Sequence, residues 1–69
     1  MTKEMEFFIY LLEQYAEYKN AKSGDIMGQW DEKKLTDFIF NQYELYHSES
    51  IENAFKDIDS LLLTGKTAW

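Results

Sequence analysis

A chain of 69 residues without cysteine must be held together by one small apolar core, with neither a disulfide nor a thiolate zinc site to help. Thirteen Asp and Glu against seven Lys and no Arg give a net charge of −6, which disfavours a nucleic-acid backbone or an anionic membrane as partner. No run reaches the roughly 20 apolar residues of a membrane span, and the opening Met-Thr-Lys-Glu-Met-Glu has acids where a secretory leader needs a basic start, so a soluble cytoplasmic protein is expected.

Thr2 is placed to cap a first helix from about Lys3 to Lys19, with Glu4 and Glu6 near its start, where the helix dipole favours anions. Met5, Phe8, Ile9, Leu12, Tyr15 and Ala16 recur at helical spacing and predict its core stripe. Phe7, Leu11 and Tyr18 form an adjoining apolar flank, with Tyr10 beside it and Glu6, Glu13 and Glu17 along one rim. A helix apolar over so wide an arc has two neighbours, the second being either another helix of its own chain or another protein.

Asn20 to Asp25 breaks the pattern, and Ser23 predicts the cap of a short helix from Gly24 to about Lys33, with Ile26 and Trp30 on one face and Gly28 weakening its interior. Asp31 to Lys34 reads as a solvated charge run at its frayed end. Thr36 then predicts the start of a third helix, Asp37 to about Tyr46, with Leu35 stapled onto Phe40. Ile39, Tyr43 and Tyr46 make one of its stripes, and Phe38 and Leu45 another. His47 to Ser50 is the next turn, with Ser48 or Ser50 as cap.

The clearest periodicity lies between Ser50 and Gly65. Ile51, Ala54, Phe55, Ile58, Leu61 and Leu62 share one stripe, while Glu52, Asn53, Lys56, Asp57, Asp59 and Ser60 are expected on the solvated side. Gly65 suits a left-handed C-cap, and Lys66 to Trp69 form a short tail. The expectation is an all-α single domain over residues 1–69, a small four-helix fold with long first and last helices facing each other and a short second one.

Little here predicts catalysis. His47 is the only side chain that ordinarily titrates near neutrality, and Ser48 and Ser50 adjoin it in sequence without forming a triad. Glu44 and His47 have the Glu-x-x-His spacing of di-iron bundles, but that architecture needs two such motifs and the chain has one, so no metal or cofactor is expected. The second and third helices suggest a helix-turn-helix, yet the would-be reading helix carries Asp37 and Glu44 and no cation, so direct nucleic-acid binding is not expected.

The aromatic load points outward instead. Five Phe, five Tyr and two Trp, each able to bury roughly 150–250 Å², exceed what a core of this size has room for, and a surplus for a protein partner is expected. The candidate partner-binding residues are Phe7, Tyr10, Leu11, Tyr18 and the terminal Trp69. An apolar strip with an acidic rim suits a basic partner with an apolar patch of its own. The competing expectation is a homodimer in which copies of the chain bury the strip against each other.

Met5 to Leu12, Gln29-Trp30-Asp31-Glu32, Leu35 to Ile39, Ile51 to Asp59 and Thr64 to Trp69 together resemble a family of small bacterial domains of unknown function. The resemblance spans nearly the whole chain and brings no catalytic residues. Some members of that family lie beside genes for toxin-like or ADP-ribosyltransferase-like proteins, which implies an accessory, inhibitory or antitoxin-like role. The expected function is therefore that of a non-enzymatic protein–protein interaction module.

Overall fold

The structure is a computed structural model that describes residues 1–66. The chain is all-α, and the described residues form five helices: α1 (Lys3–Tyr18), α2 (Ser23–Glu32), α3 (Thr36–Asn41), α4 (Tyr43–Ser48) and α5 (Ile51–Thr64). Five replaces the expected four because the third helix is split at Gln42 (φ −87°, ψ 15°), whose backbone leaves the α-helical basin. After the break, Ile39 and Tyr46 are both buried, Phe40 is half-buried and Phe38 remains exposed.

The helix ends follow local chemistry. Thr2 caps α1 by accepting the Met5 N–H at 3.1 Å. Its C-terminus closes with Asn20 in the left-handed region (φ 55°), the Ala21 N–H reaching Ala16 O and the Asn20 N–H reaching Glu17 O, which satisfies carbonyls the helix leaves open. The same closure ends α2, through Lys34 (φ 60°), Leu35 N–H to Trp30 O and Lys34 N–H to Asp31 O. Asp31 to Lys34 is thus a structured cap and not a frayed end. Ser23 is the first residue of α2, and its side chain caps nothing. Leu35 precedes α3, and the Thr36 hydroxyl donates to the Asp31 carboxylate instead of capping. Ser50 stands at the α5 N-cap without a side-chain bond, and Gly65 (φ 77°) ends α5 as expected, its N–H bonded to Leu61 O.

The core is built around Trp30 and Tyr15, both fully buried, with Phe8, Leu11, Ala16, Ile26, Ile39, Tyr46, Ala54, Phe55, Ile58 and Leu61. Phe8 and Tyr15 each set a ring centroid 5.8 Å from Trp30. The α5 stripe is buried as predicted, with Ile51 and Leu62 at its edges. The α1 stripe is rotated from expectation: Met5 and Ile9 are exposed, while Leu11 is buried. α1 packs against α2 and also against α3 and α4, and its buried residues are Phe8, Leu11, Tyr15 and Ala16. α5 meets α1 chiefly at its far end, where Phe55 lies 5.7 Å from Tyr15. Asp57, expected in solvent, is also buried.

Gly28 is the weak point in α2. A Cβ added there would meet nothing within 4 Å. Gly28→Ala is expected to add about 1 kcal/mol of stability, a rise of roughly 4–8 °C in Tm for a domain of this size. A thermal melt that shows no increase would mean that α2 gains nothing from a better helix former.

Candidate partner-binding surface

Packing has sorted the eleven rings among the described residues. Phe8, Tyr15, Trp30, Tyr46 and Phe55 are buried, Phe7, Phe40 and Tyr43 are half-buried, and Tyr10, Tyr18 and Phe38 are exposed. The apolar flank expected along α1 is therefore not continuous. Leu11, at 1% exposure, belongs to the core and leaves the proposed strip, which separates Phe7 and Tyr10 from Tyr18. Trp69 lies outside the described residues.

At the N-terminal half of α1, α4 supplies the missing neighbour. The Phe7 ring sits edge-on to Tyr43 at 5.7 Å and to His47 at 6.4 Å. Tyr43 and His47, one turn apart on α4, stack face to face at 4.2 Å with 2° between their planes. His47 Nδ1 lies 2.7 Å from Tyr43 O, so in the tautomer with its proton on Nδ1 it donates to that carbonyl and the ring is locked over Tyr43. Tyr10 extends the cluster 6.3 Å from Phe7 and is 52% exposed. The result is a mixed aromatic patch of Phe7, Tyr10, Tyr43 and His47. Phe7 and Tyr10 are the residues expected here, and Tyr43 and His47 join them unexpectedly, although their i, i+4 spacing on one helix face is a signal for it.

Acids lie along one side of the patch. Glu6 and Glu13 occupy i−4 and i+3 relative to Tyr10, Glu17 lies one turn further, and all three are exposed. Tyr43 also forms one wall of a groove of about 460 Å³ between the start of α1 and the α3–α4 corner, lined by Thr2, Glu4, Phe40, Asn41 and Glu44 besides. Both charged residues of that lining are carboxylates. The Glu44 and His47 pair does not gather further ligands: among the described residues, no three His, Cys, Asp or Glu side chains converge as a metal site would need.

Tyr18 belongs to a different, internally satisfied cluster. Its ring stacks on Phe55 at 4.7 Å, and its hydroxyl donates to Asp59 Oδ2 at 3.2 Å. The Tyr15 hydroxyl donates to Asp59 Oδ1 at 2.5 Å, and Lys19 Nζ pairs with the same oxygen at 2.9 Å. Lys19 also lies over the faces of Tyr18 and Tyr15, at 5.2 and 5.8 Å from their centroids. Burial raises the Asp59 pKa, but the hydrogen bonds from Tyr15, Lys19 and Tyr18, with the Lys19 charge, outweigh it and hold the carboxyl below its usual range. Burial first, and then the bond to Asp59, raise the Tyr15 phenol well above its usual range. The cluster ties the end of α1 to α5 and faces a groove of about 490 Å³ that Ile26, Gln29, Leu62 and Leu63 also line. Asp59, expected to be a solvated acid, is its centre.

Among the described residues no helix is long and apolar enough to cross a membrane. No curated protein and no solved structure matches this chain. Residues 6–64 match a family described as protein of unknown function (DUF3791). That match spans α1 through α5 apart from the first three residues of α1, and by it the chain belongs to the DUF3791 family of uncharacterised proteins.

Proposed function

We propose that this protein is a non-enzymatic interaction module that docks a basic protein partner on the α1–α4 aromatic patch. The observation that carries the reading is the half-wet cluster of Phe7, Tyr10, Tyr43 and His47 with Glu6, Glu13 and Glu17 along one side. Aromatic side chains that present an apolar body and a polar tip are the anchors of protein interfaces. The carboxylates along that side steer a cationic surface toward them and raise the rate of encounter. An inhibitory or antitoxin-like action in the cytoplasm is the form this takes if the partner is a toxin-like protein, as the family resemblance implies.

Self-association through the same patch is the weaker reading. A two-fold contact places a patch against itself, which would set Glu6 and Glu13 of one copy against those of the other, between molecules of charge −6. Sedimentation at micromolar concentration is expected to show a monomer, and a dimer abolished by Tyr10→Ser would favour self-association instead.

The test is a tagged pull-down at low salt, comparing the parent chain with Tyr10→Ser and with Phe38→Ser as a control on another exposed ring. The parent and the control should recover a basic protein in stoichiometric amount, and Tyr10→Ser should lose at least tenfold. Equal recovery by Tyr10→Ser, or no partner at all, rejects the reading.

A further inference from the structure

The patch holds one nitrogen whose chemistry is fixed by its neighbours. His47 Nδ1 lies 2.7 Å from Tyr43 O, and because a carbonyl oxygen can only accept, the proton sits on Nδ1. Nε2 of the neutral ring is then purely an acceptor. His47 is exposed, and among the described residues nothing bonds to Nε2. Lysine and arginine are the side chains that carry several donors and no acceptor. We infer that His47 Nε2 accepts a hydrogen bond from a cationic side chain of the docked partner, and that a second proton on the ring, which turns Nε2 into a positively charged donor, releases that partner as pH falls. The inference rests on the docking reading above, and it makes one histidine both a selector and a release point of the patch.

The ring is held so that it does not trade one nitrogen for the other. It stacks on Tyr43 at 4.2 Å and meets Phe7 edge-on at 6.4 Å, and turning it over would give up the bond to Tyr43 O. Protonation keeps that bond, so the change is confined to Nε2. The ionisable side chains on the elements that meet there are Tyr43 and Glu44 on its own helix, Lys3, Glu4, Glu6 and Tyr10 within one turn of Phe7 on α1, and Glu49 and Glu52 at the entry to α5. Carboxyl, lysine and phenol groups ordinarily titrate outside about pH 5.5–8, and histidine titrates within it. An α-amino group also falls in that range, and the variants below all keep it. A partner that donates to Nε2 binds the neutral ring and is repelled by the charged one. Its affinity is therefore complete above the histidine range and is lost as pH falls through it.

The probe is a synthetic amphipathic helical peptide with leucines on one face and lysines on the other, titrated into labelled protein at pH 7.5 and at pH 5.5. Binding is followed by chemical shifts. The parent should show the His47 and Tyr10 signals moving at pH 7.5 and should bind at least fivefold more weakly at pH 5.5. His47→Gln keeps an acceptor near the place of Nε2 and gains no proton, so it should bind within threefold of the parent at pH 7.5 and lose less than twofold at pH 5.5. His47→Phe keeps a stacked ring without the nitrogen and should lose at least fivefold at pH 7.5. In the peptide-free protein the imidazole nitrogen shifts at pH 7.5 should show Nδ1 protonated and Nε2 bare. Parent binding that is equal at the two pH values, a proton on Nε2 in place of Nδ1, or a loss in His47→Gln as large as the parent's at pH 5.5 overturns the inference, while a loss in Tyr10→Ser still upholds the patch. If the peptide does not bind, or Tyr10→Ser binds like the parent, both readings fall together.

Discussion

Trp30→Ala is expected to leave the chain without a cooperative fold at 25 °C. Trp30 is fully buried, touches Phe8 and Tyr15, and comes from a ten-residue helix that contributes one other buried side chain, Ile26. Truncating a buried Trp to Ala costs about 3–5 kcal/mol, from lost transfer energy and an uncollapsed cavity. A domain near 70 residues without disulfides or metal rarely holds more than about 3–5 kcal/mol in total. The cost therefore matches the whole stability. Circular dichroism should show most of the helical signal lost and no sigmoidal melt. A variant that melts cooperatively within a few degrees of the parent would show that α2 is not the keystone described above.

The second large effect is expected at Asp59, and it has a pH signature. A hydrogen bond to a charged group contributes about 1.5–3 kcal/mol, and Asp59 receives one from Tyr15, a weaker one from Tyr18 and an ion pair from Lys19. Its side chain keeps about a quarter of its exposure, since it is 28% accessible, so the lower end applies: Tyr15→Phe or Asp59→Asn should each cost roughly 1.5 kcal/mol near neutrality. The two losses should not add in full, because both substitutions act on the same Tyr15–Asp59 bond.

The sign of the pH dependence follows from the direction of each shift. The folded carboxyl of Asp59 is held below its unfolded value, so its contribution is complete above about pH 4 and is lost as pH falls through the folded pKa. Denaturant titrations from pH 6 down to pH 2 should show the gap between parent and Asp59→Asn closing. A constant gap would mean that the carboxylate charge is irrelevant there. Tyr15 and Tyr46 act at the other end. Burial is the main cause of both raised phenol values, followed by the bond to Asp59 for Tyr15 and by the Asp57 charge for Tyr46. Their stabilisation is complete below about pH 10 and is lost as pH rises past it, when the unfolded chain ionises first.

Much of the secondary structure was legible because it is local. The Thr2 cap, the α5 stripe and the Gly65 terminus depend on residues within one or two turns of each other, and all three appear as read. The two ends closed by Asn20 and Lys34 were less legible. Asn is favoured at positive φ and was the one local signal for the α1 end, whereas Lys34 takes the same conformation with nothing in its residue type to announce it. Part of the candidate surface was legible too: Phe7 and Tyr10 lie in the patch, whereas Leu11 went to the core and Tyr18 to the Asp59 cluster.

Charge, the absence of cysteine, helical class and the number of rings follow from the amino-acid sequence alone, since each is a sum or a short-range periodicity. Which arc of α1 turns inward, where the third helix breaks, and which partner each ring finds were decided only by the tertiary structure. α1 is apolar over most of its circumference, so several rotations satisfy its own periodicity equally well. Only the joint demands of α2, α4 and α5, arriving from different sides, select the one that buries Leu11, gives Tyr15 its carboxylate at Asp59, and leaves Tyr10 facing water.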